Sequence, residues 1–373
     1  MRKMKNIARA AAVLMAFLML IGSVAMAKGS QVKNMEYVLL DSLYAEMGQC
    51  VVSPAGLRIM LSMAVEGAAG KTRDQLIAAL GDITAIGVED LSQVKSANLV
   101  LVHEDAAIRD AYATALQQAY GAAFMVLDAD VVDTVNTWAS EQTDGLIAEV
   151  LTEAPDPETM LILLNALLLD ADWQTPFDAA KTKPGPFHAA DGQVEAQFMH
   201  ATLGLEYAEK DGIQAVKLPY DGGELEMVVL MPGEESSLGD MLELLAKTGL
   251  SAAGDFAWNA NVYLALPKFS LESGLELMPA LTELGVIDAF DARADFSDIS
   301  DSMDLYMSDV MQRARIDVDE QGTVAGAVST AMMANKSVSI NVVEMVVNRP
   351  FVAVVRGVKN GDVLFAAAVD KPE

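Results

Sequence analysis

Three histidines, His103, His188 and His200, are the only imidazoles in 373 residues, and no two of them stand at metal-ligand spacing or in an HExxH pattern. A zinc hydrolase is therefore disfavoured. Cys50 is the single thiol and sits beside Val51 and Val52, a setting that predicts a buried, inert sulfur rather than a nucleophile. Gly67 is too close to Gly70-Lys71-Thr72 for a phosphate-cradling GxxxxGK[ST] loop, and neither a GxSxG elbow nor a GxGxxG turn after a strand is present. A Ser-His-Asp triad assembled in space needs no motif, so a secreted hydrolase stays open as a third reading. Carboxylate pairs indicate nothing about glycoside chemistry in a chain with 53 Asp+Glu. What stands out is residues 320–337, a run of small and β-tolerant side chains after Ile316-Asp317-Val318-Asp319, with a lone Lys336 near its end. It reads as a loop able to become a strand. Small side chains let alternate positions be buried in a sheet at little steric cost, and Gly322 offers a hinge that accepts a large backbone change. Composition alone also allows an ordinary strand or an Ala-rich helix over 323–334.

The elements that must hold this segment are legible as periodicities. Val32, Met35, Val38, Leu39, Leu43 and Met47 recur at helical spacing, and a second helix is predicted over Gly56–Glu66. Thr72-Arg73-Asp74-Gln75 reads as a capping box before Leu76, Ile77 and Leu80, with Gly81 placed to end that helix. Further helices fit 106–120, 131–144, 237–247 and 274–284. Strand-like runs lie at 97–103, 160–169, 213–219, 224–231, 261–266, 338–347, 351–356 and 363–369, with Asp221-Gly222-Gly223 supplying a hairpin turn. Helices dominate early and strands late, which predicts an α+β fold rather than a doubly wound parallel sheet.

Arg2, Lys3, Lys5 and Arg9 precede an apolar stretch from Ala10 to Ile21 and then Ala25-Met26-Ala27. That is an export signal over 1–27, its apolar core shorter than the roughly 20 residues of a membrane span. The remaining 28–373 reads as one domain, with no repeat, linker or low-complexity segment. Removing the four basic residues leaves 21 Lys+Arg against 53 Asp+Glu. Such a surplus of carboxylates opposes nucleic acid and anionic membrane as partners. One cysteine precludes an internal disulfide, so the expected product is a secreted, extracellular, soluble monomer without metal or cofactor.

Several separate stretches then share one resemblance. Ser53-Pro54 followed by Gly67-Ala68-Ala69-Gly70-Lys71-Thr72-Arg73-Asp74-Gln75-Leu76 is similar to an SP…GAxGxTxxQ(I/L) opening. Asn136-Thr137-Trp138 with Thr143-Asp144-Gly145-Leu146-Ile147 is similar to NxW…TxGxI. Asn165-Ala166, Trp173, Pro176-Phe177-Asp178, Thr182 and Phe187 fall in the order of an NAxxFxGxWxxxFD…T…F block. Leu218-Pro219-Tyr220, Met231-Pro232, Leu266-Pro267-Lys268-Phe269 and Leu284-Gly285 continue the series, which closes on Asp319-Glu320-Gln321-Gly322-Thr323 and Asn348-Arg349-Pro350-Phe351. Each is weak alone; in this order, from Tyr37 to Pro372, the chain resembles a serpin.

The resemblance implies a fold of three β-sheets and about eight or nine helices, displaying a reactive-centre loop over about 322–346. It implies a metastable inhibitor, not an enzyme, whose partner is a target serine protease. The protease attacks the loop and forms an acyl-enzyme, and the cut loop inserts as a new strand before deacylation. Glu320, Gly322, Thr323, Val324, Ala325, Ala327 and Ser329 correspond to the hinge, and Ser53, Asn165, Trp173 and Gln312 to the shutter and breach beneath and above the insertion path. Counting about fourteen residues from Gly322 reaches the bond Lys336–Ser337, which suits a trypsin-like pocket holding a carboxylate. Counting back from Pro350 reaches a residue nearer Ser339. Met332, Met333, Ala334 or Val338 would then serve an elastase- or subtilisin-like enzyme.

Four positions depart from the family pattern. Gln312 replaces a His, Gly56 a second Ser, Ala171 a Gly and Val324 a Glu. A neutral amide at Gln312 can still bridge strands, so Ser53 and Asn165 are expected to keep a polar cluster. None of the four places a large or charged side chain on the inserting face. The rival reading is a non-inhibitory family member that acts as a carrier.

Overall fold

The computed structural model describes residues 34–80, 93–323 and 342–372. The export segment 1–27, Gly81, the hinge residues Val324, Ala325, Ala327 and Ser329 and the bond Lys336–Ser337 lie outside them. Helix α1 (Met35–Met47) turns Met35, Leu39, Leu40 and Leu43 inward and stops at Gly48, whose φ of 82° continues no helix. Helix α2 (Pro54–Gly67) starts with Pro54, which has no amide to leave unpaired, and Ser53 Oγ accepts the Gly56 N–H at 3.0 Å. It is apolar on nearly every side because it runs through the core, under both sheets.

The predicted capping box at Thr72 does not form. Helix α3 (Gly70–Leu80) begins two residues earlier, Thr72 Oγ1 accepts the Asp295 N–H at 3.0 Å, and Gln75 Oε1 accepts the Ile287 and Asp288 N–H groups at 2.9 and 2.8 Å. Side chains free to close their own helix turn are claimed by a segment distant in sequence. Helices α4 (Asp110–Tyr120), α5 (Val131–Gln142) and α6 (Leu238–Thr248) match their periodicities, the last with a true capping box between Ser237 and Asp240. The helix predicted over 274–284 forms over Met278–Glu283 as the short helix α7, while 274–276 end the strand Phe269–Glu276. Strict in-out burial through Phe269, Leu271, Ser273 and Leu275 is the period-two signal that outweighs the helical one.

Strands are β1 (Cys50–Val52), β2 (Val94–His103), β3 (Ala123–Leu127), β4 (Leu161–Leu169), β5 (Ala171–Asp172), β6 (Lys183–Ala189), β7 (Gly192–Lys210), β8 (Ile213–Pro219), β9 (Leu225–Met231), β10 (Ala257–Pro267), β11 (Phe269–Glu276), β12 (Met307–Val318), β13 (Gly322–Thr323), β14 (Val343–Val346), β15 (Phe351–Gly357) and β16 (Val363–Val369). Together with seven α-helices among the described residues they make an α+β fold. The predicted turn between β8 and β9 is present, with φ of 81° at Gly222 and 70° at Gly223. The strands form two hydrogen-bonded sheets where the resemblance implied three. One runs β3-β2-β4-β12-β13-β5 with β11 beside β12; the other runs β1-β16-β15-β9-β8-β7-β10-β14 with β6 beside β7. The reason is β7, nineteen residues long, whose first part pairs with β6 and β10 and whose last residues, from Glu206, pair with β8. It makes the third sheet continuous with the second.

The core is divided by these sheets. Trp173, Phe187, Phe269 and Phe351 fill the layer between them; α1, α2 and α6 cover the other face of the longer sheet; Val131, Val135, Ile147 and Leu151 cover the outer face of β2 and β4. All nine residues of β4 are buried in consequence, which explains its unbroken apolar run. Cys50 is buried in β1, where burial and then Asp370 push its thiol up to about 12, so no thiolate exists at neutral pH.

Candidate functional site: the loop base and the strands beneath it

The suspect segment leaves β12 through a turn dictated by Asp319. Its carboxylate accepts the Gln321 N–H at 2.8 Å and the Gly322 N–H at 3.3 Å, while its own N–H donates to the Gly322 carbonyl at 3.0 Å. That reverses the chain into β13, where Gly322 pairs with Asp172, and Thr323 pairs with Ala171 on one side and Val318 on the other, both antiparallel. The first two residues of the segment are thus already seated as strand.

Gly322 is here for closeness, not for freedom. A Cβ on it would lie 2.0 Å from the Ala171 carbonyl oxygen and 2.7 Å from Asp172 Cα, both main chain of β5. The sequence reading assigned it hinge flexibility; the structure assigns it backbone contact. Thr323 is fully buried, its hydroxyl 2.6 Å from the Tyr220 hydroxyl, and the Tyr220 ring stacks on Trp173 with centroids 4.6 Å apart. Trp173 Nε1 donates to the Asp319 carbonyl at 2.9 Å and its N–H to Gln321 O at 2.7 Å. Burial with only that one hydroxyl for partner holds the Tyr220 phenol far above its ordinary value, so it stays neutral.

Glu320 fastens the same turn from outside. Its carboxylate takes Thr182 Oγ1 at 2.7 Å and Lys268 Nζ at 2.8 Å. Burial opposes its ionisation, but the bonds from Lys268 and Thr182 outweigh burial and hold it below the usual 4.5. A charge-assisted bond is worth about 1.5–3 kcal/mol when dry; the Lys268 side chain is 38% exposed, which discounts the pair to about 1 kcal/mol. A carboxyl with a depressed folded pKa stabilises fully above its unfolded value and loses that contribution as pH falls through the folded one. Glu320→Gln is therefore expected to lower the thermal midpoint by a few degrees at pH 7, with the gap to wild type closing below pH 4.5. Equal midpoints at pH 7 would refute the clamp.

Below the turn, β4 and β12 lie side by side and parallel, from Asp309 opposite Ile162 to Arg315 opposite Leu168, with Asn165 opposite Gln312. Of the polar cluster expected of Ser53, Asn165 and Gln312, Gln312 and Ser53 are bonded to each other, while Asn165 stands opposite Gln312 and bonds elsewhere. Gln312 clasps one residue of main chain, accepting the Ser53 N–H at 2.8 Å and donating to the Ser53 carbonyl at 2.9 Å; Ser53 Oγ donates to the Leu364 carbonyl at 2.7 Å. Asn165 donates to Asn98 Oδ1 at 2.8 Å, and its own oxygen is buried without a partner. Gly56 makes the room: a Cβ there would meet that oxygen at 2.0 Å and Gln312 Nε2 at 2.8 Å. A glycine at 56 and a glutamine at 312 are thus one packing solution rather than two independent departures. Trp173 lies beyond the end of β4, at the loop base. Tyr220, Thr182 and Lys268 complete that base and were not singled out by sequence. All three do stand inside recognised motifs, which was the available signal; Asn98 had none.

Residues 31–372 match the sequence profile of the family described as Serpin (serine protease inhibitor). The chain belongs to the serpin family. It is 32% identical over 355 residues to plasminogen activator inhibitor 1 of Sus scrofa, covering 86% of each chain. To Iripin-8 of Ixodes ricinus it is 28% identical over 349 residues, covering 86% of this chain and 87% of that one. The native-state structure of the thermophilic serpin tengpin superposes with a TM-score of 0.81 at 25% identity, covering 91% of this chain and 93% of the other.

Proposed function

We propose that this protein is a secreted suicide-substrate inhibitor of serine proteases, cleaved between Lys336 and Ser337 by a trypsin-like enzyme. The observation that carries the reading is the parallel β4–β12 pair with the start of the following segment already turned back against it. A chain leaving the end of β12 and reversing runs antiparallel to both strands. Entering between them, it replaces one parallel ladder by two antiparallel ones, which pair better per residue. Thr323 supplies the first buried position, and Ala325, Ala327 and Ser329 continue it at alternate sites.

In the proposed reaction the protease serine Oγ attacks the Lys336 carbonyl carbon. The Lys336–Ser337 bond breaks, Ser337 leaves as a free amine after taking a proton from the protease histidine, and Lys336 is held as an ester. Water would normally hydrolyse that ester. Strand insertion instead carries the tethered protease away from the loop's original position and distorts its acylated site, so the outcome is a race between insertion and deacylation. Sheet addition supplies the driving force, and the family's described activity and the inhibitor name of the pig relative accord with it.

The test is incubation of the protein with trypsin, and in parallel with an elastase and a subtilisin. A complex surviving detergent, together with a peptide beginning at Ser337, is the expected result. A complex with elastase alone moves the bond to Met332, Met333, Ala334 or Val338. Proteases that nick the chain and stay active overturn inhibition in favour of a carrier.

A further inference from the structure

An outermost strand keeps a row of N–H and C=O groups without strand partners, and stable proteins guard such edges with charge, proline or shortness. Among the described residues every sheet edge but one is guarded. β5 has two residues, one of them Asp172, and β1 has three, all buried. β6 carries Lys183, Pro184 and Pro186, β11 exposes Glu272 and Glu276, and β14 exposes Glu344. The exception is β3, Ala123-Phe124-Met125-Val126-Leu127. It ends its sheet, pairing only with β2, in parallel and without a bulge, and contains no proline and no charge.

This strand is held firmly without being covered. Phe124 meets Tyr112 of α4 edge to face with centroids 6.0 Å apart, while Ala123, Met125 and Leu127 pack toward the core beneath α5. None of the five is fully buried, and Val126 is 47% exposed. A strand already fixed in place loses little freedom when a partner adds to it. β3 also closes an uncharged run of seventeen residues, Ala111 to Leu127, bracketed by Asp110 and Asp128, in a chain of net charge −28. No uncharged run beyond residue 28 is longer. The rest of that run is α4, which exposes Thr114, Gln117 and Gln118.

Charge selects the occupant. The edge holds no charge to attract a partner of opposite sign, and it is the one place where this strongly acidic chain can meet its own copy without setting carboxylates against each other. The strand also fits itself. About a two-fold axis at Met125, Ala123 faces Leu127 and Phe124 faces Val126, so every cross-strand pair is apolar. The two Asp128 carboxylates then stand about six residues apart along the ladder, roughly 20 Å, well beyond the screening length of about 8 Å at physiological salt. We infer that the outer edge of β3 pairs antiparallel with β3 of a second copy, joining two sheets into one. A ladder of this length alone falls short of the about 800 Å² per partner of a stable interface, and the exposed amides of α4 complete the contact. A dimer thus replaces the monomer expected from the sequence. In the sheet order β3 lies at one end and β5, beside the loop base, at the other, so both loop bases stay free. The pairing stands whether or not the loop traps a protease.

The experiment is sedimentation of the protein over a wide range of concentration, with amide hydrogen exchange measured on the same samples. Wild type is expected to pass reversibly from one-chain to two-chain mass and no further, while exchange at 123–127 slows as the dimer fills. Added salt should tighten it, because the net charge of each copy is screened. Val126→Glu sets a carboxylate among apolar pairs, twice over by the two-fold axis, and is expected to raise the dissociation constant about fiftyfold or more. Val126→Thr keeps a β-branched side chain and should stay within about fivefold. Both variants should melt like wild type when dilute, since this side chain lies outside the core. Trp258 is the control: it is 70% exposed on β10 of the other sheet, its ring so close over Gly204 that a Cβ there would come within 2.7 Å. Trp258→Glu is expected to leave the dimer intact. One-chain mass at every concentration overturns the inference, as does a dimer that Val126→Glu leaves unchanged. Association that continues past two chains, or that Trp258→Glu abolishes, or that leaves exchange at 123–127 unaltered, overturns it equally.

Discussion

Gly322→Ala is expected to lower the thermal midpoint by more than five degrees and to turn much of the inhibitor into a substrate. The added methyl group would stand 2.0 Å from the Ala171 carbonyl oxygen, 2.7 Å from Asp172 Cα and 2.9 Å from the Ala171 carbonyl carbon. All three are main chain, so no rotamer relieves the overlap; β13 must leave β5 or β5 must leave the sheet. Overpacking of this kind costs about 1–3 kcal/mol. Separation also breaks the pairing of Thr323 with Ala171 and draws its hydroxyl away from Tyr220. A phenol left buried without a partner costs about another 1–3 kcal/mol. With the loop base unseated, insertion starts later and deacylation gains in the race. Thr323→Ser is the control, since it keeps the hydroxyl facing Tyr220 and should shift the midpoint by about a degree. The measurements are thermal melting and the ratio of covalent complex to cleaved inhibitor with trypsin. A Gly322→Ala protein that melts and inhibits like wild type would show that β13 is not where insertion begins.

Lys336→Glu is expected to abolish the trypsin complex, cutting the rate of its formation by about 10⁴-fold or more, the scale on which a pocket built around a specific polar group rejects a mismatched one. The pocket that attracts a lysine does so with a buried carboxylate. A glutamate there sets two like charges against each other in a dry site, where each is costly. Lys336→Arg keeps the charge and is expected to inhibit trypsin at a similar rate. The substitution leaves the loop base from Asp319 to Thr323 untouched, so stability should not change. A full-strength trypsin complex from Lys336→Glu would place the reactive bond elsewhere in the segment.

Glycine 322 shows where reading and structure part company. Sequence supplies its identity, and flexibility is the property glycine usually brings to a loop. Its contacts lie with β5, some 150 residues earlier, and no local pattern announces that the Ala171 carbonyl will press against it. Thr72 makes the same point for a helix start. Its pattern fits a capping box, but Asp295 takes the hydroxyl, because a tertiary donor was available where the box needed a local one. The Phe269–Glu276 strand is absent from the runs read in the sequence, and its last three residues fall within the helix predicted over 274–284; pairing with β12 is what makes them strand.

By itself the sequence determined the α+β class, the early helices and late strands, and the serpin family, since each rests on composition, short periodicities and motifs in a given order. It also pointed to Ser53 and Gln312 as neighbours, though not to Asn98 as the partner of Asn165. Tertiary structure alone decided that β4 and β12 close on each other in parallel, that Gly322 and Thr323 are already paired, that Glu320 is clamped by Lys268 and Thr182, and that Trp258 lies uncovered on Gly204. These depend on which segments are brought together across some fifty to a hundred and fifty residues, and side-chain type is silent about its distant neighbour until the backbone fixes the register.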